Sequence, residues 1–196
     1  MKKLEVKTIQ RCMFFCFTIA LLSIASCNQA QQKPTGETAA ITAPSTPITE
    51  AAFFGNTEAI KGHIAAKSDL NQKDDYGSTP LHIAATFGKT DVALLLIEAG
   101  ANLNEKNAEG STPLHTAAFF GRTEIVKALL ANKADISIRN NYQTTALESV
   151  SGAFADVKPV YDQFSKTLGP LGLKLDYEQL EASRPAIAEL IKASSK

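Results

Sequence analysis

One six-residue segment of the chain recurs after a fixed interval. Gly-Ser-Thr-Pro-Leu-His occupies residues 77–82 and again residues 110–115, 33 positions later. The similarity continues past this segment, because residues 84–90 and 117–123 differ at only two of seven positions. A period of this length predicts a solenoid, in which each repeat is one supersecondary unit stacked on the next.

The Thr-Pro-Leu-His start of these two repeats resembles the ankyrin-repeat family. The resemblance covers residues 45–151 and implies an all-α ankyrin-repeat solenoid of about four helix-turn-helix repeats with hairpin tips. In the first repeat, Gly62 and His63 stand where the next repeat has two leucines. We therefore expect this end repeat to have lost apolar surface, since nothing stacks on its outer side. Thr145 begins a weakened fourth repeat, with Gln143 in place of the glycine.

Each repeat is expected to form a short helix, a glycine turn, a second helix and an extended tip. Thr79 is a good N-cap, and Pro80 suits the first helical position, where a missing N–H is no loss. Gly88 then ends that helix, because the turn requires a positive φ. The resemblance implies that the histidine of each start binds a neighbouring turn. The structural motif residues are Thr79, Pro80, His82, Thr112, Pro113 and His115.

The fourth repeat departs from the period. The best match to Arg122 and the apolar residues that follow it is Arg184, which indicates an insertion of about 29 residues relative to the 33-residue period. Within the insertion, residues 157–168 carry apolar side chains at helical spacing, and we expect Asp156 to be the N-cap. We interpret residues 152–196 as a divergent last repeat that forms an enlarged helical C-terminal cap.

The N-terminus has the pattern of an export signal. Four basic residues within the first eleven precede an apolar run of about 13 residues, which is short for a membrane span but typical of a signal peptide. Ile-Ala-Ser-Cys at residues 24–27 resembles the bacterial lipobox, whose cysteine is lipidated and becomes the mature N-terminus. We expect residues 1–26 to be a lipoprotein signal peptide and Cys27 to be lipidated. An ordinary secretory signal cut nearby and an uncleaved anchor are the alternatives.

Residues 27–44 are expected to be the lipidated cysteine and a disordered tether. Its sixteen residues from 28 to 43 contain scarcely any large apolar group, and as a flexible coil they would reach on the order of 20–25 Å. Cys12 and Cys16 lie inside the leader, so the mature chain has no internal disulfide. Asn28 is not the aspartate associated with inner-membrane retention in some bacteria, which favours the outer membrane of the cell envelope.

Charge and motifs exclude several classes of function. The chain has 20 basic and 20 acidic residues, and removal of the leader, with four basic and one acidic, leaves 16 and 19. A net charge of about −3 disfavours nucleic acid, whose binding needs a basic surface. The three histidines lack a carboxylate or cysteine partner at a recognisable spacing, and no nucleophile-elbow or phosphate-loop motif is present. We expect no enzyme activity, cofactor, metal or small-molecule substrate.

Recognition of a protein partner is the remaining function. The resemblance implies a concave face made of the hairpin tips and the first helix of each repeat, and aromatic side chains there are good interface anchors. Phe54, Phe87 and Phe120 adjoin the turn glycines and are expected to be half-buried packing between repeats. The predicted partner-binding residues are Phe53, Tyr76, Thr86, Glu109, Phe119 and Tyr142.

Three functions fit these observations. The first is a non-catalytic, lipid-anchored module of the bacterial envelope that binds a protein partner on its concave face. The second is an immunity or inhibitor protein that neutralises an exported enzyme or toxin. The third is a structural tether that oligomerises at the membrane.

Replacing the lipobox cysteine tests the anchor. Cys27→Ser should block processing, because only a thiol is acylated, and should leave a precursor that is larger by the leader. The measurement is detergent-phase partitioning with metabolic lipid labelling. Unchanged partitioning in the variant, with no labelled lipid on the wild type, would contradict the lipoprotein prediction.

Overall fold

The computed structural model describes residues 42–195. The predicted signal peptide, Cys27 and all but the last residues of the predicted tether lie outside this range. No helix within residues 42–195 is both long and apolar enough to span a membrane. The described residues contain no strand and form nine α-helices and one 3₁₀ helix, Gly169–Leu171. The α-helices are α1 Ile48–Phe54, α2 Thr57–Ala65, α3 Pro80–Phe87, α4 Thr90–Glu98, α5 Pro113–Phe119, α6 Thr123–Ala131, α7 Ala146–Ser151, α8 Phe154–Leu168 and α9 Tyr177–Ala193.

The helices stack in two layers. The first helix of each repeat contributes to one layer, in which α1, α3, α5 and α7 lie side by side. The second layer contains α2, α4, α6 and α9, so α9 takes the position of the second helix in the fourth repeat. Leu81 and Leu114 from the first layer and Leu96 and Leu129 from the second are fully buried. The all-α helical repeat solenoid predicted from the sequence is confirmed.

Local sequence explains where the first helices begin and end. The side chain of Thr79 caps α3, Pro80 occupies its first turn, and Gly88 ends it with a φ of 65°. The predicted N-cap of α8, in contrast, is wrong. Asp156 is not the N-cap of α8, because Ala153 has that position and Asp156 lies in the first helical turn. Its negative charge still complements the positive end of the helix dipole.

The motif histidines join each repeat to the next. The Nδ1 atom of His82 accepts from the backbone N–H of Thr79 at 3.2 Å. The opposite ring atom, Nε2, therefore carries the proton and donates to the carbonyl of Ser111 in the following repeat at 2.9 Å. His115 repeats this arrangement with Thr112 and with the carbonyl of Thr144, at 3.3 and 3.0 Å. Both rings are therefore neutral, with the proton on Nε2.

The fourth repeat replaces this histidine by a glutamate. Glu148 accepts from the backbone N–H of Thr145 at 2.8 Å and so completes the cap of α7 as a histidine would. Its carboxylate also pairs with Arg139 at 2.7 Å instead of reaching forward. A glutamate suffices here because no further hairpin tip follows α7 within residues 42–195 that could accept a hydrogen bond from a ring nitrogen.

The first repeat is better covered than the sequence predicted. His63 is buried, and its Nε2 atom lies 2.8 Å from the carbonyl oxygen of Thr46, while Nδ1 lies 3.0 Å from the hydroxyl of Ser68. A Cβ at Gly62 would approach Pro44 to 2.7 Å. The segment before α1 therefore packs across α2, which requires glycine at this contact and satisfies the histidine that stands where the next repeat has a leucine.

Acidification should weaken the stack through the buried histidine rings. Burial lowers the pKa of His82 to about 4 and also lowers the pKa of His115. A lowered pKa in the folded state means that the unfolded chain binds more protons, so the contribution of His82 is complete above about 6.5 and is lost as the pH falls towards 4. The free energy of unfolding should fall by up to about 3 kcal/mol from this residue.

Urea unfolding measured at several pH values checks this expectation. Glu148 and Asp162 are exposed and have lowered pKa values because of their partners Arg139 and Lys158, so their losses come at more acidic pH. A His82→Gln variant should be less stable at pH 7 and should show a flatter profile between pH 6.5 and 4. A flat profile in the wild-type protein over that interval would show that the rings do not need to be neutral.

Candidate protein-binding surface

Side-chain hydrogen bonds fix the shape of each hairpin tip. The Oδ1 atom of Asn140 accepts from the backbone N–H groups of Tyr142 and Thr144 at 3.0 and 3.1 Å. Asn107 and Asp74 make the same two contacts in the preceding repeats. An asparagine or aspartate in this role replaces a backbone turn partner and holds the chain in one conformation. The three tips are therefore copies of one rigid turn.

Backbone hydrogen bonds also connect neighbouring tips. The amide of Ala108 donates to the carbonyl of Tyr76 at 3.0 Å, and the amide of Asn141 donates to the carbonyl of Glu109 at 3.0 Å. The side chains at the third position of each tip consequently lie in a row, Tyr76, Glu109 and Tyr142, which we call the tip row. Tyr76 is 77% exposed and Tyr142 is 73% exposed, and Glu109 between them is also exposed.

Two of the predicted binding residues are partly covered by neighbouring side chains and helices. Phe53 is half-buried, with its ring centroid 4.6 Å from that of Phe87 and 5.0 Å from that of Phe54. The hydroxyl of Thr86 donates to the carbonyl of His82 at 3.0 Å, within α3. The expectation that Phe54 is packing between repeats is wrong, because this ring is 66% exposed. Phe87 is half-buried, as expected.

Phe119 is also covered, and the cause is the inserted helix α8. The centroid of its ring lies 4.5 Å from that of Tyr161 and 5.8 Å from that of Phe164, both on α8. Its neighbour Phe120 is buried and lies 5.4 Å from Phe164. Phe119 is therefore half-buried, because the insertion packs on it. Whether it also contacts a partner stays a prediction.

A buried polar contact fixes α8 to the repeats. The hydroxyl of Tyr161, whose side chain is fully buried, donates to the carbonyl of Phe119 at 2.6 Å. The same hydroxyl accepts from the guanidinium of Arg184 at 3.1 Å, and that group also donates to the carbonyls of Ser149 and Gly152 at 3.2 Å. Burial raises the pKa of Tyr161, so the phenol stays protonated. We call Tyr161, Arg184 and the Phe119 carbonyl the α8 anchor.

Arg184 matches Arg122, as the sequence alignment proposed. Arg122 donates to the carbonyls of Ala85 and Thr86, which end α3, at 3.3 and 3.0 Å. Arg184 binds carbonyls at and just beyond the end of α7. The negative end of a helix dipole favours a cation in both cases. The carbonyls at the end of α7 and the Tyr161 hydroxyl give the buried guanidinium of Arg184 its hydrogen bonds.

The position of α8 creates a groove beside the tip row. The groove has a volume of about 430 Å³ and runs between α5, the last two tips and α8. That size falls within the roughly 300–1,000 Å³ of ligand-binding clefts. Hydroxyl and amide groups line part of it, and Glu109 stands at its edge. The apolar lining consists of Phe119, Phe120, Tyr142, Val157, Val160 and Phe164.

The sequence did not predict this groove. The helical spacing of residues 157–168 predicted a helix, but nothing in that spacing determined where the helix lies. Two buried residues decide its position, Tyr161 and Arg184, and they are 23 residues apart in the chain. The apolar face of the insertion was nonetheless a signal in the sequence. A helix with such a face buries it against another part of the protein.

The comparison with protein families agrees with this architecture. A family model described as ankyrin repeats, in three copies, matches residues 14–106 and residues 48–140, which together cover more than half of the chain. The chain belongs to the ankyrin-repeat family. Ankyrin repeats generally mediate protein–protein interaction, and proteins of this family are typically non-catalytic. No curated protein matches this ankyrin-repeat chain. The matched residues end before α7, so α7, α8 and α9 lie outside the residues that the family model matches.

Two tyrosine hydroxyls form a matched pair for testing the α8 anchor. Tyr161→Phe should lower the free energy of unfolding by about 1–3 kcal/mol, because it leaves a buried carbonyl and a guanidinium N–H without a partner. Amide hydrogen exchange should also become faster along α8. Tyr142→Phe removes an exposed hydroxyl and should change neither quantity. Equal stability of the two variants in urea would mean that the anchor does not hold α8.

Proposed function

We propose that this ankyrin-repeat protein is a non-catalytic interaction module that is lipid-anchored to the bacterial cell envelope and binds a protein partner on its concave face. The observation that carries the proposal is the tip row. Tyr76 and Tyr142 are large side chains that face solvent at equivalent positions, with Glu109 between them. Rigid turns hold all three, so little conformational entropy is lost when a partner binds.

The chemistry of the tip row supports a protein partner. Tyrosine combines a large apolar ring with a polar end, and it is enriched among the residues that contribute most to interface affinity. Neither Tyr76 nor Tyr142 contributes to the buried core of the described residues. Both tyrosines are held in place by the fold without packing in its core, and we therefore interpret them as partner-binding residues.

The state of the histidines supports a non-catalytic role. All three histidine rings in the described part of the chain have both nitrogens within hydrogen-bond distance of other protein groups. Burial lowers the pKa of His82 and His115, and both rings hold the repeats together. A general base needs a free nitrogen that faces a substrate, and these two rings are committed to structure.

The lipid anchor rests on the sequence alone. Cys27 in its Ile-Ala-Ser-Cys context is the proposed attachment point, and the residues between it and α1 are the proposed tether. An acyl anchor and a flexible tether would hold the concave face near the membrane while leaving it free to meet a partner. The outer membrane remains the favoured location.

Site-specific crosslinking tests the concave face. A photoreactive phenylalanine analogue at Tyr76 or Tyr142, in cells that make the protein, should crosslink to one and the same envelope protein. The analogue at Lys127, on the outer side of α6, should not. Tyr142→Ala should weaken binding of the captured protein by about 1–3 kcal/mol without changing the unfolding free energy. Equal crosslinking at Lys127 would remove the support for a concave-face site.

A further inference from the structure

The groove beside the tip row has two walls of different origin. Phe119 and Tyr142 belong to the repeats, whereas Val157, Val160 and Phe164 belong to α8. Val160 is 45% exposed and Tyr142 73% exposed, so apolar surface on both walls faces solvent. A groove with two apolar walls can enclose a side chain from both sides, whereas the surface of the repeats alone contacts it from one side.

The charge at the groove has one sign. Glu109 is the only residue of its lining that is charged at neutral pH, since burial lowers the pKa of His115 and keeps that ring neutral. The carboxylate of Glu109 takes part in no ion pair or side-chain hydrogen bond within residues 42–195.

Two pairs of charged side chains near the groove bind each other. On α8, Lys158 and Asp162 bind each other at 3.0 Å, and beside α7 the carboxylate of Glu148 binds Arg139 at 2.7 Å. Both pairs are internally neutral. Lys106, whose Nζ donates to the carbonyl of Arg139 at 3.1 Å, takes part in no ion pair within residues 42–195, so the carboxylate of Glu109 has no cationic partner there. An occupant that places a cation there would gain an ion pair next to apolar surface, where the charge interaction is less screened than in open water.

We infer that the groove binds a peptide segment of the partner in which bulky apolar side chains adjoin a lysine or arginine. The apolar side chains lie between α8 and the repeats, and the cation lies at Glu109. The inference rests on the proposed function and names the chemistry of the partner. The chain's own tether is a poor occupant, because residues 28–43 contain only one large aliphatic side chain, Ile41.

A random peptide library displayed on phage tests the inference with the purified full-length protein. Peptides enriched on the wild type should combine bulky apolar residues with Lys or Arg. Glu109→Lys should instead enrich Asp or Glu beside the same apolar residues, because it reverses the charge at the groove. Glu98→Lys makes the same charge change on α4, outside the groove, and should enrich the wild-type set.

Measured affinities of the enriched peptides complete the test. Val160→Glu places a charge on the apolar wall of α8 and should weaken binding at least about tenfold. The position is exposed, so the variant should fold normally, and an unchanged urea midpoint checks this. Glu109→Lys should weaken the basic peptides, and the acidic peptides should bind it more tightly than they bind the wild type.

Several results would overturn the inference. They are enrichment without a basic residue, no enrichment at all, or affinities that Val160→Glu leaves unchanged. A dimer in light scattering that Val160→Glu dissociates would show that a second copy occupies the groove. The crosslinking experiment distinguishes these failures from failure of the proposed function, because a partner captured at Tyr76 and Tyr142 would still support a concave-face site without the groove.

Discussion

The hydrogen bond from a neutral histidine to the next repeat is the interaction on which this fold depends. In His82 and His115, Nδ1 accepts a hydrogen bond from the backbone N–H of the threonine that caps their own helix, which leaves Nε2 to donate to the next repeat. Each ring thereby ties the start of one helix to the tip of the following repeat. Because the tips are fixed in this way, the side chains that project from them lie in a regular row rather than on independent loops.

The C-terminal end of the array shows how the same plan is modified when stacking stops. Glu148 replaces the histidine and keeps only its local capping contact. The second helix of the repeat is supplied by α9, after an insertion that contains α8. Tyr161 and Arg184 then fix α8 against the carbonyl ends of α5 and α7. The insertion therefore does more than cover the C-terminal end of the repeats, because α8 also forms the second apolar wall of the groove.

The aromatic side chains divide between packing and exposure by their surroundings. Phe119 and Phe53 occupy equivalent positions in their repeats, and both are half-buried, the first under α8 and the second against Phe87. Tyr76 and Tyr142 lie at the third position of a tip, where both side chains are largely exposed. The binding surface that results is a rigid row of tips with an apolar groove beside its last two members.

The sequence by itself determined the repeat, the helix starts and the solenoid, because these follow from local capping, turn chemistry and a period that recurs within the chain. It also matched Arg184 to Arg122 across the insertion. Only the tertiary structure decided which aromatic rings face solvent and where α8 lies. Helical spacing predicts that residues 157–168 have an apolar face. The place where this face packs is decided by the contacts of Tyr161 with Phe119 and Arg184. Such contacts join distant parts of the chain, and no local pattern specifies them.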